Sequence, residues 1–234
     1  MNVLIVVTGA ASAAFAPYWA NWLKMARPDV SPRYLMSKSA EKFVTATSLR
    51  LVSGAPVELD SFEFMVEPTH VRLADWMDAL LVHPCSLSYL GRLAQGSVDV
   101  PSLMASACTE GPVVIAPALP PGANLNEPYR SHRLTLDARP DVHVIEPTPV
   151  RSAGSSRPAM GAAAMNECFG VLDEHVRRSP RGRPSLITPP TTPGAADDRP
   201  DQADRPDHRN DLRTHSSASN DHMGIHRPSE RDSA

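Results

Sequence analysis

Aromatic residues are scarce in this 234-residue chain, at 5%, and they are unevenly placed. None lies in residues 179–234, whereas all three tryptophans (Trp19, Trp22, Trp76) and all three lysines (Lys24, Lys38, Lys42) fall before residue 80. Eight of the 24 prolines, by contrast, lie in those last 56 residues, in a setting of Asp, Arg, His and Ser. Such a segment buries too little apolar surface to offset the entropy of ordering and reads as a disordered tail. The chain is therefore read as one domain, residues 1–178, followed by a tail, 179–234. A domain of that size buries roughly 70% of its unfolded surface and needs no disulfide or metal to fold.

Other absences narrow the function. Three cysteines (Cys85, Cys108, Cys168), odd in number and widely spaced, argue against a disulfide framework or a paired-cysteine zinc site and suit free thiols in the cytoplasm. The tail histidines His208, His215, His222 and His226 have no cysteines or clustered carboxylates to complete a metal site. No apolar run approaches the roughly 20 residues of a membrane span. A net charge of −3 and a pI near 6.3 offer no general attraction to nucleic acid or anionic membrane. The apolar stretch 4–7 precedes the first basic residue, Lys24, the reverse of the order in a secretory signal, so it reads as a buried first strand.

Short apolar runs are present at 3–7, 34–36, 79–82, 113–116 and 142–145. Between them, 15–27, 40–48, 70–77, 87–95 and 160–176 carry apolar residues at helical spacing. Continuous hydrophobicity predicts strands covered on both faces, and alternation with helices predicts a three-layer α/β domain with a parallel sheet. Ligands in such sheets bind beyond the carboxyl ends of the strands, so the residues after each run are the candidates.

After the first run comes Thr8-Gly9-Ala10-Ala11-Ser12, small residues that let a ligand approach the backbone at a helix start. It is neither a GxGxxG fingerprint nor a Walker loop. After the second comes Ser37-Lys38-Ser39-Ala40, open to two readings: Ser39 caps a helix, or Ser37 and Ser39 join Ser12 around a phosphate. His83-Pro84-Cys85-Ser86-Leu87-Ser88 forms a further amide-rich rim, and upstream Thr69 is placed to cap a helix whose first turn presents His70. Pro68, Pro84 and Pro117 punctuate these turns.

Four segments in order carry a resemblance: Thr8-Gly9-Ala10-x-Ser12; Ser37-x-Ser39-Ala40-x-x-Phe43; His70-Val71-x-Leu73-Ala74-Asp75-Trp76; and Pro84-x-Ser86 followed by Gly91, Ala94, Gly96 and Asp99. Over about residues 1–176 the chain resembles the homo-oligomeric flavin-containing cysteine decarboxylases, which include peptidyl-cysteine decarboxylases of lanthipeptide and linaridin biosynthesis and phosphopantothenoylcysteine decarboxylases. The resemblance implies a flavodoxin-like Rossmann fold binding FMN between subunits of a homotrimer, often assembled into dodecamers. It implies that Gly9, Ala10, Ser12, Ser37 and Ser39 hold the FMN phosphate and ribityl chain, that Pro84, Cys85, Ser86 and Ser88 line the isoalloxazine, and that His70 is the active-site histidine.

The implied chemistry suits these residue types. A cysteine carboxylate has no electron sink of its own; oxidation at its β-carbon by the flavin gives a thioaldehyde that accepts the electrons released with CO2, leaving an enethiol. An imidazole, which exchanges protons near neutral pH, is suited to the thiol proton. Two departures stand out. Where the family reads Pro-x-Met-Asn, this chain has Pro117-Ala118-Leu119-Pro120, so the carboxylate-anchoring Asn is replaced and Asn124 or Asn126 is its candidate substitute. Where the coenzyme A enzymes carry a clamp cysteine, residues 146–157 have none, and Arg151 and Arg157 are left to meet a substrate carboxylate. The expectation is oxidative decarboxylation of the C-terminal cysteine of a precursor peptide for aminovinyl-cysteine formation, with the enethiol released and O2 reoxidising the flavin. A phosphopantothenoylcysteine decarboxylase and a non-catalytic flavin-binding regulatory subunit are the alternatives. Every assigned residue precedes position 158, so deleting residues 179–234 is expected to leave the flavin absorbance of the purified protein unchanged; a colourless truncated protein refutes the division.

Overall fold

The computed structural model describes residues 1–64, 69–152 and 154–178. The tail expected at 179–234 lies outside them, as does Pro68. Six strands, β1 (Asn2–Val7), β2 (Ser31–Met36), β3 (Val57–Leu59), β4 (Ala79–Ser86), β5 (Val113–Ala118) and β6 (Val142–Val144), pair in parallel in the order 3-2-1-4-5-6. That is the doubly wound Rossmann order, which reverses direction between β1 and β4. A separate antiparallel hairpin joins β7 (Thr148–Arg151) to β8 (Pro158–Gly161).

Helices cover both faces. On one side α1 (Ala16–Ala26), α2 (Ala46–Ser53) and α7 (Met165–Arg178) pack Ala20, Leu23, Leu49, Phe169 and Leu172 onto Val3, Ile5 and Val7. On the other, α3 (Thr69–Trp76), α4 (Leu87–Ala94), α5 (Pro101–Cys108) and α6 (Glu127–Asp137) bring Leu73, Leu90, Leu103 and Leu136 onto Leu4 and Val6. Alternate side chains of one strand thus enter opposite cores, which is why the runs are continuously apolar. The three-layer α/β architecture is the expected one.

Local differences have identifiable causes. The helix expected from residue 40 starts six residues later. Residues 40–42 make one 3-10 turn, closed when the Phe43 and Val44 N–H groups donate to the Ala40 carbonyl. Thr45, not Ser39, then caps α2, its hydroxyl accepting the Ser48 N–H at 3.1 Å. Thr69 is the first residue of α3 rather than the one before it. Met160, expected to open a helix, lies in β8, and α7 begins at Met165. β4 runs on to Ser86, pairing with β1 only as far as Val82; a register shift against β5 follows, at the cis His83–Pro84 peptide.

Beyond β3 the buried Asp60 binds the start of α5: one carboxylate oxygen accepts the Ser102 N–H at 2.9 Å, the other the Ser102 hydroxyl at 2.5 Å. With its own proton given to Asp60, the Ser102 oxygen accepts the Tyr89 hydroxyl at 2.7 Å, tying α4 into the same network. Burial pushes the Asp60 carboxyl above its ordinary range, against these two donors. Replacing Asp60 by Ala orphans both Ser102 donors and is expected to destabilise the fold by about 2–4 kcal/mol, measured by urea unfolding.

Candidate active site

The regular β1–β4 ladder ends at Val82, and beyond it Thr8 joins the two strands: its backbone N–H donates to the Pro84 carbonyl at 3.3 Å, and its side chain adds two bonds. Its hydroxyl donates to the Pro84 carbonyl and accepts the Ser86 N–H, both at 2.7 Å, with 1% of the residue exposed. Sequence reading left Thr8 without a role; a hydroxyl at the last position of a buried run is the only signal it gives. Ser86 continues the construction, its own hydroxyl accepting the Tyr89 N–H at 3.3 Å to cap α4.

The turns after β1 and β2 close on one another. A Cβ on Gly9 would overlap the Ser39 side chain, so the two loops touch only because position 9 has no side chain. Ser37 and Ser39 share a hydroxyl–hydroxyl bond of 3.0 Å, and Ser37 also accepts the Ala40 N–H at 3.2 Å. Ser12, in the 3-10 turn Ala11–Phe15, buries a hydroxyl that has no hydrogen-bond partner among the described residues. Gly9, Ala10, Ser12, Ser37 and Ser39 therefore collect around the ends of β1 and β2. None of these residues bears a negative charge. A buried unpaired hydroxyl beside small residues and further hydroxyls fits a phosphate ester.

The remaining candidates fall into three groups. Pro84 is buried within β4, Ser86 caps α4, and Ser88 is exposed in its first turn. Cys85, expected along a cofactor ring, instead turns a fully buried thiol into the core, donates weakly to the Ser86 carbonyl at 3.6 Å, and is pushed up in pKa by burial. Only its backbone faces the strand end. His70 stands in the first turn of α3, which starts at the same carboxyl end of the sheet; its ring meets Phe62 edge to face at 5.9 Å, and its buried Nδ1 has no partner among the described residues.

The third group follows β5. Leu119 is 3% exposed, and its N–H donates to the Met160 carbonyl at 2.7 Å while its carbonyl accepts the Met160 N–H at 3.2 Å. It therefore anchors the β7–β8 hairpin rather than offering a side chain to a ligand. Asn124 is half-buried in the 3-10 turn Ala123–Leu125, and Asn126 is exposed before α6 without a side-chain cap bond. Arg151 and Arg157 are exposed at the far end of the hairpin, Arg151 donating to the Ser156 carbonyl at 3.1 Å. Among the described residues no helix is long and apolar enough to cross a membrane, and no group of three His, Cys, Asp or Glu is placed to hold a metal ion.

A model of the family described as Flavoprotein matches residues 1–179. The chain belongs to that family. This flavoprotein is 33% identical over 138 residues to the cypemycin cysteine dehydrogenase (decarboxylating) of a Streptomyces species, a match spanning 58% of the chain and 71% of the relative. The crystal structure of the cypemycin decarboxylase CypD superposes with a TM-score of 0.62 at 26% identity, covering 76% of this chain and 94% of that one. The FMN-dependent cysteine decarboxylase TvaF from thioviridamide biosynthesis gives 0.61 at 25% identity, covering 76% and 98%. The coenzyme A biosynthesis bifunctional protein of Haemophilus influenzae is 28% identical over 122 residues, half of this chain but only 30% of that longer protein.

The flavoprotein's hydroxyl cluster is open to direct test. Because any side chain at position 9 meets Ser39, Gly9→Ala is expected to push the two loops apart and lower flavin affinity by at least tenfold, about 1.4 kcal/mol. Titrating the quenching of free FMN fluorescence reads that affinity, and a parent-like curve refutes the cradle.

Proposed function

We propose that this flavoprotein binds FMN at the carboxyl ends of β1, β2 and β4 and oxidatively decarboxylates the C-terminal cysteine of a ribosomally made precursor peptide. The product is an enethiol, the form needed to close an aminovinyl-cysteine ring in a lanthipeptide-type antibiotic. The observation that carries this reading is the 33% identity to cypemycin cysteine dehydrogenase (decarboxylating), over 71% of that enzyme. The hydroxyl cluster around the unpaired Ser12 supports the cofactor half of it.

In this reading Gly9, Ala10, Ser12, Ser37 and Ser39 hold the phosphate and ribityl chain. The backbone from Pro84 and Cys85 at the end of β4 through Ser86 to Ser88 in the first turn of α4 faces the ring system. Bound FMN supplies a two-electron acceptor, without which loss of CO2 leaves an unstabilised carbanion on a cysteine. His70, with Nδ1 buried and unpaired among the described residues, takes the thiol proton. Arg151 or Arg157 meets the departing carboxylate, and Asn124 or Asn126 orients the peptide end. The peptide loses CO2 and two hydrogens, and an external oxidant, O2, restores the flavin.

Phe15, Tyr18, Phe43 and Phe62 are 61%, 64%, 42% and 39% exposed, and all follow the ends of β1, β2 or β3. That apolar collar supports a homotrimer, or a dodecamer built of trimers, closing around the site. The free thiols Cys85, Cys108 and Cys168 suit the cytoplasm. A phosphopantothenoylcysteine decarboxylase is the second reading, favoured by the match to the Haemophilus influenzae protein. The lack of any cysteine in residues 146–157 counts against it.

Incubation of the FMN-loaded protein with a Cys-terminated peptide, and separately with phosphopantothenoylcysteine, divides the readings. A mass loss of CO2 plus two hydrogens on the peptide is expected; loss of CO2 alone from the small molecule establishes the second reading instead. His70→Asn is expected to lower peptide turnover about a hundredfold or more while keeping the flavin spectrum, and full turnover would remove its role.

A further inference from the structure

His83 has no part in the scheme above, yet it is buried, 4% exposed, at the carboxyl end of β4 beside Pro84. Its ring lies on the α1 and α7 side of the sheet, edge to face with Trp19 at 6.0 Å. A buried imidazole needs its polar edge satisfied, and here Nε2 sits 2.9 Å from the Ala163 carbonyl oxygen, 80 residues away. A carbonyl only accepts, so the proton is on Nε2 and His83 is the donor. Burial lowers the His83 pKa, which favours the neutral ring.

Ala163 occupies the short link between β8, which ends at Gly161, and α7, which starts at Met165. A two-stranded hairpin alone is marginal in water; all four residues of β7 are exposed, and in β8 burial is limited to Ala159 and to Met160, which packs on the core. Two polar ties add to that limited burial. One is the Leu119–Met160 backbone pair at the end of β5. The other is the His83–Ala163 bond at the end of β4.

We propose that His83 is a positioning residue that fixes the β7–β8 hairpin relative to the carboxyl ends of β4 and β5, and thereby the placement of Arg151 and Arg157 toward a substrate carboxylate. The substrate clause rests on the peptide-decarboxylase reading; the hairpin clause does not.

Two variants of the FMN-loaded full chain separate the donor from the bulk: His83→Phe fills the space without a donor, and His83→Gln keeps an N–H at similar reach. Tryptic cleavage after Arg151 reads the hairpin, and cleavage after Arg50 in α2 reads the body. Loss of one buried hydrogen bond is expected to speed cleavage after Arg151 about tenfold in His83→Phe, with cleavage after Arg50 and the His83→Gln protein near the parent. In the same variant KM for the Cys-terminated peptide is expected to rise about tenfold with kcat little changed, and His83→Gln to restore it. Equal cleavage after Arg151 in all three proteins, parallel acceleration at Arg50, or no rescue by Gln overturns the proposal. Altered cleavage with unchanged KM overturns its substrate clause. Absence of peptide turnover in the parent overturns the functional reading and leaves the cleavage result standing. If His83→Phe does not fold, nitrogen chemical shifts of His83 in the parent decide: an Nδ1–H tautomer refutes the bond.

Discussion

Thr8 ties the end of β1 to β4 at the candidate site. Two neighbouring parallel strands normally satisfy their backbone groups on each other, and to part them is to orphan those groups. The regular β1–β4 ladder ends at Val82, and Thr8 takes over there, its N–H and its hydroxyl both donating to the Pro84 carbonyl and its hydroxyl accepting from Ser86. Each such bond contributes about 1 kcal/mol net, and its loss in a buried place costs more than its presence gains. This junction lies at the reversal of strand order, where a doubly wound sheet offers its crevice. The same exchange fixes Ser86, and Ser86 caps α4, so one threonine sets both the junction of the strands and the entry of the helix beside it.

Around this point the fold divides into parts of different firmness. Four strands, β1, β2, β4 and β5, enter two cores at once, and the Asp60–Ser102–Tyr89 network draws the end of β3, α4 and α5 together at the same rim. The β7–β8 hairpin is held with less burial, that of Ala159 and Met160, together with a backbone pair and a side-chain bond. Under the proposed function, a firm floor with a lightly anchored neighbour would suit chemistry on the end of a flexible peptide, the floor holding the cofactor and the neighbour adapting to the chain.

Much of this was legible from the residues, for physical reasons. Strands buried on both faces announce themselves as apolar runs, and five of the six sheet strands lie where those runs are. β3 has only three residues with Glu58 in the middle, so no run marks it. Pro149 and Pro158 gave the hairpin the look of a loop, since proline is disfavoured within sheets but tolerated at exposed edges. α5 and α6 fall outside the expected helical segments; Pro101 and Pro128 stand at their starts, where a missing N–H costs nothing. The small residues of the cofactor cradle were visible because their spacing is local. Thr8 and His83 were not, because their partners lie 76 and 80 residues away. Cys85 was misplaced because the run was taken to end at Val82: the strand continues, and the register shift carries its side chain into the core.

The electrostatics of the cradle bear on how a cofactor is held. Its candidate donors are neutral hydroxyls and backbone amides, and the cations nearest in sequence, Lys38 and Lys42, are exposed. Exposed charges are screened within a Debye length of roughly 8 Å at physiological salt, whereas buried hydroxyls and amides are screened much less. A phosphate held this way depends on geometry more than on ionic strength, and geometry here means the absence of a side chain at Gly9 and the approach of Ser39 to it. The loops after β1 and β2 touch because β1 and β2 stay paired to Val7 and Met36, while on the other side of β1 the regular pairing with β4 ends at Val82. Thr8, the residue after β1, completes that side, its N–H and hydroxyl satisfying the Pro84 carbonyl and its hydroxyl the Ser86 N–H, so the change of pairing leaves these backbone groups satisfied.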